Sequence, residues 1–126
     1  MNPLILVGLG GLAGAVSRYI VSGLVQGGNP GFPVGTLFVN LSGSFALGLI
    51  MTLSDYGVGV DASTRLMVAV GFIGAYTTMS TFSYESVRLL IDGKIPHFAL
   101  NVLSTNVLCL SGVLIGRWAA MALTGG

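Results

Sequence analysis

The chain has 126 residues, of which 53% are hydrophobic and 7% charged, whereas a soluble domain carries about a quarter charged side chains. So few charges cannot cover a water-soluble globule, and the composition calls for a lipid bilayer as solvent. A net charge of +1 without a basic run excludes a nucleic-acid footprint or an electrostatically held peripheral protein.

The first apolar segment, about 3–25, lacks a basic leader and is too long for the core of a secretory signal, so it reads as a retained helix. It carries Gly10 and Gly14 at the spacing at which small residues let membrane helices touch, and it holds Arg18 well inside the apolar run. "GLGGLAG" at 8–14 superficially resembles a dinucleotide loop but lacks the strand before it and the acid after it. The breaker "QGGNPGFP" at 26–33 leads to a second segment, 34–53, with Asn40 and the small pair Ser44 and Gly48. After "SDYGVGVDAST" at 54–64, Asp61 or Ser63 can cap a third segment, 65–91. "DGKIP" at 92–96 places Pro96 in the first turn of the fourth segment, 96–123, which contains Asn106, Cys109 and the pair Gly112 and Gly116. Each segment can cross a core of about 30 Å at about 1.5 Å per residue. The expectation is an all-α, single-domain membrane protein with four transmembrane helices.

The third segment is irregular. Thr77, Thr78, Ser80, Thr81 and Ser83 cluster near its midpoint, behind Gly71, Gly74 and Ala75. Glycine and β-branched threonine weaken a helix, and hydroxyls compete for its backbone bonds, so a break is expected near 74–81. Such breaks at mid-depth mark ion sites where protein or water satisfies the freed groups. Asn40 and Asn106 also need partners in lipid, and together with the hydroxyls they suggest a polar track. The track offers neutral donors without a ring of acids, which favours a small anion; Phe38, Phe72 and Phe82 add electropositive ring edges. Glu85 is the expected counter-charge for Arg18, and Cys109 is expected to be packing. Arg65 and Arg117 fall toward one side of the membrane and Arg18, Arg88 and Lys94 toward the other, too small a bias to fix orientation. An antiparallel, dual-topology homodimer is the expected assembly.

"GGLAGAVSRY" at 10–19, "GTLFVNLSGSFALG" at 35–48 and "GFIGAYTTMSTFSYE" at 71–85 resemble three signature blocks of the CrcB/Fluc fluoride channels. The resemblance spans essentially the whole chain. It implies an antiparallel dimer with two pores in a prokaryotic plasma or inner membrane, passively exporting fluoride and protecting the cell from its toxicity. It further implies a structural sodium ion at the dimer centre, held by backbone carbonyls at positions matching Gly74 and Thr77. Asn40 matches the pore asparagine, Phe82 the second pore phenylalanine, and Ser80 and Thr81 the hydroxyls beside them. Arg18 and Glu85 match charged positions, and Asn106 falls on the pore side of the fourth helix. Two positions depart: Met79 stands where the first pore phenylalanine is expected, and Ala75 replaces a glycine. Conduction is expected despite Met79. A small multidrug exporter would need a membrane-embedded carboxylate, and the first segment has none. A non-catalytic assembly subunit would leave the hydroxyl run unexplained. An enzyme is disfavoured, since His97 and Cys109 lack partners for catalysis or metal binding.

Overall fold

The computed structural model describes residues 1–125, and its regular structure is entirely helical. Four helices are long and apolar enough to cross a membrane. Helix α1 is Pro3–Gln26, opened by Asn2, whose side chain accepts from the Leu4 N–H at 2.8 Å, with Pro3 in the first turn where its missing N–H costs nothing. Gly27, at φ 54°, ends it. Gln26 then folds the proline-rich connection onto itself: its Nε2 donates to the Asn29 and Phe32 carbonyls and its Oε1 accepts from the Gly35 N–H. Helix α2 follows as Val34–Asp55.

The third span, Ala62–Ile91, starts earlier than the expected 65 because the Asp61 carboxylate caps it, accepting from the Thr64 N–H at 2.8 Å. That bond lowers the Asp61 pKa below its ordinary value of 3.8. The span is two helices. The first, α3, covers 62–76, and within it Arg65–Ile73 is wound as a π-helix, whose main-chain bonds span one residue more than those of an α-helix. The second, α4, is Met79–Ile91. Thr77 and Thr78 between them are extended, at φ −89°, ψ 159° and φ −151°, ψ 120°, so the break falls inside the expected 74–81. Helix α5 is Ile95–Thr124, with Pro96 in its first turn.

Glycine seams hold the bundle together. A Cβ on Gly10 would strike the Met67 carbonyl oxygen and one on Gly14 the Phe72 carbonyl oxygen, so α1 and the π-wound part of α3 touch main chain to main chain. On the other side, Gly112 and Gly116 face Leu41, Phe45 and Leu49, and Gly48 faces the Val113 main chain. These contacts advance together in residue number, so α2 and α5, the most extensive pairing, run parallel, as two helices crossing in the same sense must. All three small-residue pairs read from the sequence therefore lie at or beside helix contacts. Val39, Ala69, Ile73, Phe82, Leu89 and Ala120 form the buried apolar centre, while Leu12, Tyr19, Leu103 and Leu114 face outward.

Candidate functional site

The break at Thr77–Thr78 frees main-chain groups in the middle of an apolar bundle, where each needs a partner. Asn40 on α2 supplies two. Its Oδ1 accepts from the Thr78 N–H at 2.7 Å and its Nδ2 donates to the Thr78 carbonyl at 3.0 Å, a two-point clamp with Asn40 only 8% exposed. Thr78 in turn caps α4: its Oγ1 accepts from the Thr81 N–H at 3.2 Å and donates to the Thr81 hydroxyl at 3.1 Å. The Thr77 hydroxyl bonds back to the Ile73 carbonyl at 3.1 Å. From α1, the Arg18 Nε donates to the Ala75 carbonyl at 3.0 Å.

Where α2, α3, α4 and α5 meet at this break lies a cavity of about 370 Å³. Asn40, Gly74, Thr77, Met79, Phe82 and Asn106 line it, together with Ser44, Thr78, Thr105 and Cys109 and apolar neighbours; no carboxylate, lysine, arginine or histidine does. Six residues read from the sequence are thus gathered at one place. Phe82 is buried, whereas Met79 is 74% exposed and reaches outward from the first turn of α4. Ser80 and Thr81 sit on that same turn, beside the cavity rather than on its wall, with the Ser80 hydroxyl 3.4 Å from Thr78 Oγ1. Asn106 gives one Nδ2 proton to its own helix, at the Val102 carbonyl, 2.7 Å away. Phe72 stacks on Tyr76, whose hydroxyl meets that of Ser42, so its ring is used in packing; Phe38 also lies off the cavity wall.

The expected pairing of Arg18 with Glu85 is not formed. Arg18 is spent on Ala75, because the helix break leaves that carbonyl without its donor, while Glu85 faces a second cavity, about 390 Å³, at the membrane-edge end of α4. Gln26, Asn29, Arg88, Asp92 and Lys94 share that cavity, and one Glu85 oxygen, Oε1, is buried there without a hydrogen-bond partner. Sequence reasoning also missed Asn101 and Ser86, buried at 3% and 4% exposure and bonded to each other at 2.9 Å. The signal was present: an asparagine in an apolar helix with Thr105 four residues on, one turn along the same face.

Two main-chain oxygens bear on cation binding. In an unbroken α-helix the Gly74 carbonyl would accept from Thr78 N–H and the Thr77 carbonyl from Thr81 N–H. Here Asn40 takes the first donor and Thr78 Oγ1 the second, leaving both oxygens without their helical partners. Freed carbonyls suit a hard cation, and among the described residues no cluster of three or more His, Cys, Asp or Glu offers an alternative metal site.

Residues 5–117 match the protein family described as "CrcB-like protein, Camphor Resistance (CrcB)". A relative from Methanosarcina acetivorans, named fluoride-specific ion channel FluC 1, is 45% identical over 123 residues, covering 98% of this chain and 94% of its own. Another from Methanosarcina barkeri, fluoride-specific ion channel FluC 3, is 44% identical over 124 residues, 98% and 94% of the two chains. A third, fluoride-specific ion channel FluC from Koribacter versatilis, is 46% identical over 109 residues, 86% of each. With the family matched over nearly its whole length, this chain belongs to the CrcB-like family.

Proposed function

We propose that the chain forms a fluoride-selective channel through which fluoride leaves the cell passively. The observation that carries this reading is the cavity at the helix break, whose polar wall consists of amides, hydroxyls and a thiol with no ionisable acid or base of the Asp, Glu, Lys, Arg or His type. Fluoride is small and strongly hydrated, so a pathway that strips its water must offer closely spaced donors in exchange. Asn40 keeps a second Nδ2 proton beyond the one given to Thr78; Ser80, Thr81, Thr105 and Asn106 stand within or beside the same space. The N-terminal end of α4 lies at this cavity and brings the positive end of its helix dipole there, which favours an anion further. Chloride is larger and gains less from short donor contacts. A proton-coupled exporter would need a carboxylate in the cavity wall, and there is none. The relatives named above as fluoride-specific channels support the same reading.

The assembly belongs to the same proposal. Two chains packed antiparallel in a cell membrane would face their breaks toward each other, and the Gly74 and Thr77 carbonyls of both would then surround a sodium ion. Such an ion would supply only positive charge and coordination that ties the two breaks together; Asn40, Thr78 and Arg18 hold the main chain in the geometry that exposes those oxygens.

The test is ion efflux from liposomes containing the purified protein, read with fluoride- and chloride-selective electrodes. Rapid efflux of fluoride but not chloride, lost in a folded Asn40→Leu variant, supports the channel. A folded dimer that passes no fluoride refutes it.

A further inference from the structure

Helices α4 and α5 share one buried polar chain. Asn101 Nδ2 donates to Ser86 Oγ at 2.9 Å, Ser86 Oγ donates to the Phe82 carbonyl at 2.7 Å, and Thr105 Oγ1 donates to Asn101 Oδ1 at a longer 3.5 Å. The direction follows from the groups present: Nδ2 can only donate, so the serine oxygen accepts there and its single proton is directed to the carbonyl. Asn101 and Ser86 are 3% and 4% exposed and lie off the walls of both cavities described above, yet the two ends of the chain, Phe82 and Thr105, both line the central one. A hydroxyl bonded back to the carbonyl four residues earlier also bends its helix, so the Ser86 bond acts on the main chain that aims the Phe82 ring. Fully satisfied buried networks of this kind specify a single arrangement, and removing one member leaves the others unpaired.

We infer that Asn101 and Ser86 are positioning residues. Together they set the separation of the Phe82 ring from Thr105 across the cavity, and thereby how sharply the cavity discriminates fluoride from a larger halide. The inference rests on the channel reading for its functional half and on geometry alone for its structural half.

The experiment uses the full-length protein with two readouts. In liposomes, the fluoride-to-chloride efflux ratio is expected to fall about tenfold in Asn101→Leu and in Ser86→Ala, the loss anticipated for one charge-neutral buried hydrogen bond, and to be retained in Ser86→Thr, which keeps the hydroxyl. In a Phe82→Leu background, adding Asn101→Leu is expected to change the ratio no further, because both act on one ring. In detergent, fluorine NMR of protein labelled with 4-fluorophenylalanine, with the Phe82 line assigned by its loss in Phe82→Leu, is expected to show one Phe82 environment in the parent and in Ser86→Thr and several in Ser86→Ala. Ser86→Ala removes only an oxygen, so it carries the test should Asn101→Leu not fold. An unchanged Phe82 line, an unchanged ratio, or an equal further fall in the Phe82→Leu background overturns the inference. A changed Phe82 line in a protein that passes no fluoride would leave the positioning role standing and sink the channel reading alone.

Discussion

Asn40 does for the main chain of one residue, Thr78, what the flanking turns of helix would otherwise do. Replacing it with leucine leaves the Thr78 N–H and carbonyl both unpaired in an apolar setting, at roughly 1–3 kcal/mol for each group. The expected result is a large drop in thermal stability in detergent together with loss of flux. Asn40→Asp, which keeps an acceptor for the N–H but turns the donor into a second acceptor against the Thr78 carbonyl, should recover only part of either. Thr78→Val removes the cap of α4 at about 1 kcal/mol, and Thr78→Ser should restore it. Met79 reaches outward from that helix rather than filling the core, so its departure from the phenylalanine that the resemblance implies leaves packing within the chain untouched. The parent protein is therefore expected to conduct, and efflux measured beside Met79→Phe checks it. At this scale the sequence stated needs but not partners. An asparagine among apolar residues declares that its carboxamide must be satisfied; that Thr78 satisfies Asn40, or Ser86 satisfies Asn101, depends on which helix faces lie together. The same limit explains Arg18, assigned to a charge by the sequence argument and bound to a carbonyl in the fold.

At the scale of the elements, the glycines divide into those that touch and those that do not. Gly14→Ala would drive a methyl into the Phe72 carbonyl, with an expected cost of about 1–3 kcal/mol and a lower melting temperature. Gly74→Ala meets nothing closer than the Ala69 carbonyl at 3.9 Å and gains helix propensity, so it should be neutral or stabilising by up to about 1 kcal/mol. Thermal unfolding of the pair in one detergent checks both. The cap of the third span gives a pH signature. The Asp61 pKa is lowered by the Thr64 N–H, so its contribution is complete above the unfolded value near 3.8 and disappears as pH falls through the lower folded one. Asp61→Asn, which still caps, should abolish that acid-limb dependence. Helix ends were legible because Asp61, Pro96 and the glycine turns announce them locally. The π-winding of Arg65–Ile73 was not, since nothing in the periodicity of "RLMVAVGFI" distinguishes it; it accompanies the seam in which α1 lies against that stretch, a tertiary contact.

For the molecule as a whole, composition alone dictated the solvent, and the three turn-rich breaks dictated the four crossings. Assembly was not legible in the same way. In lipid, an apolar face covered by a partner and one covered by acyl chains carry the same residues, so the outward Leu12, Leu103 and Leu114 do not announce which they meet. The proposed dual orientation has a direct check: adding lysines at one membrane edge should force one topology and abolish efflux, and co-expression with the oppositely biased variant should restore it.

The clamped break also bears on how the chain is made. The third span is the least apolar of the four and leaves main-chain groups unsatisfied unless Asn40 and Arg18 are already there to meet them. Both of those residues are synthesised earlier, on α1 and α2. Biogenesis is therefore expected to be sequential, with the third span settling in the bilayer only once the first two can receive it, and Asn40→Leu is expected to lower the yield of inserted protein as well as its stability.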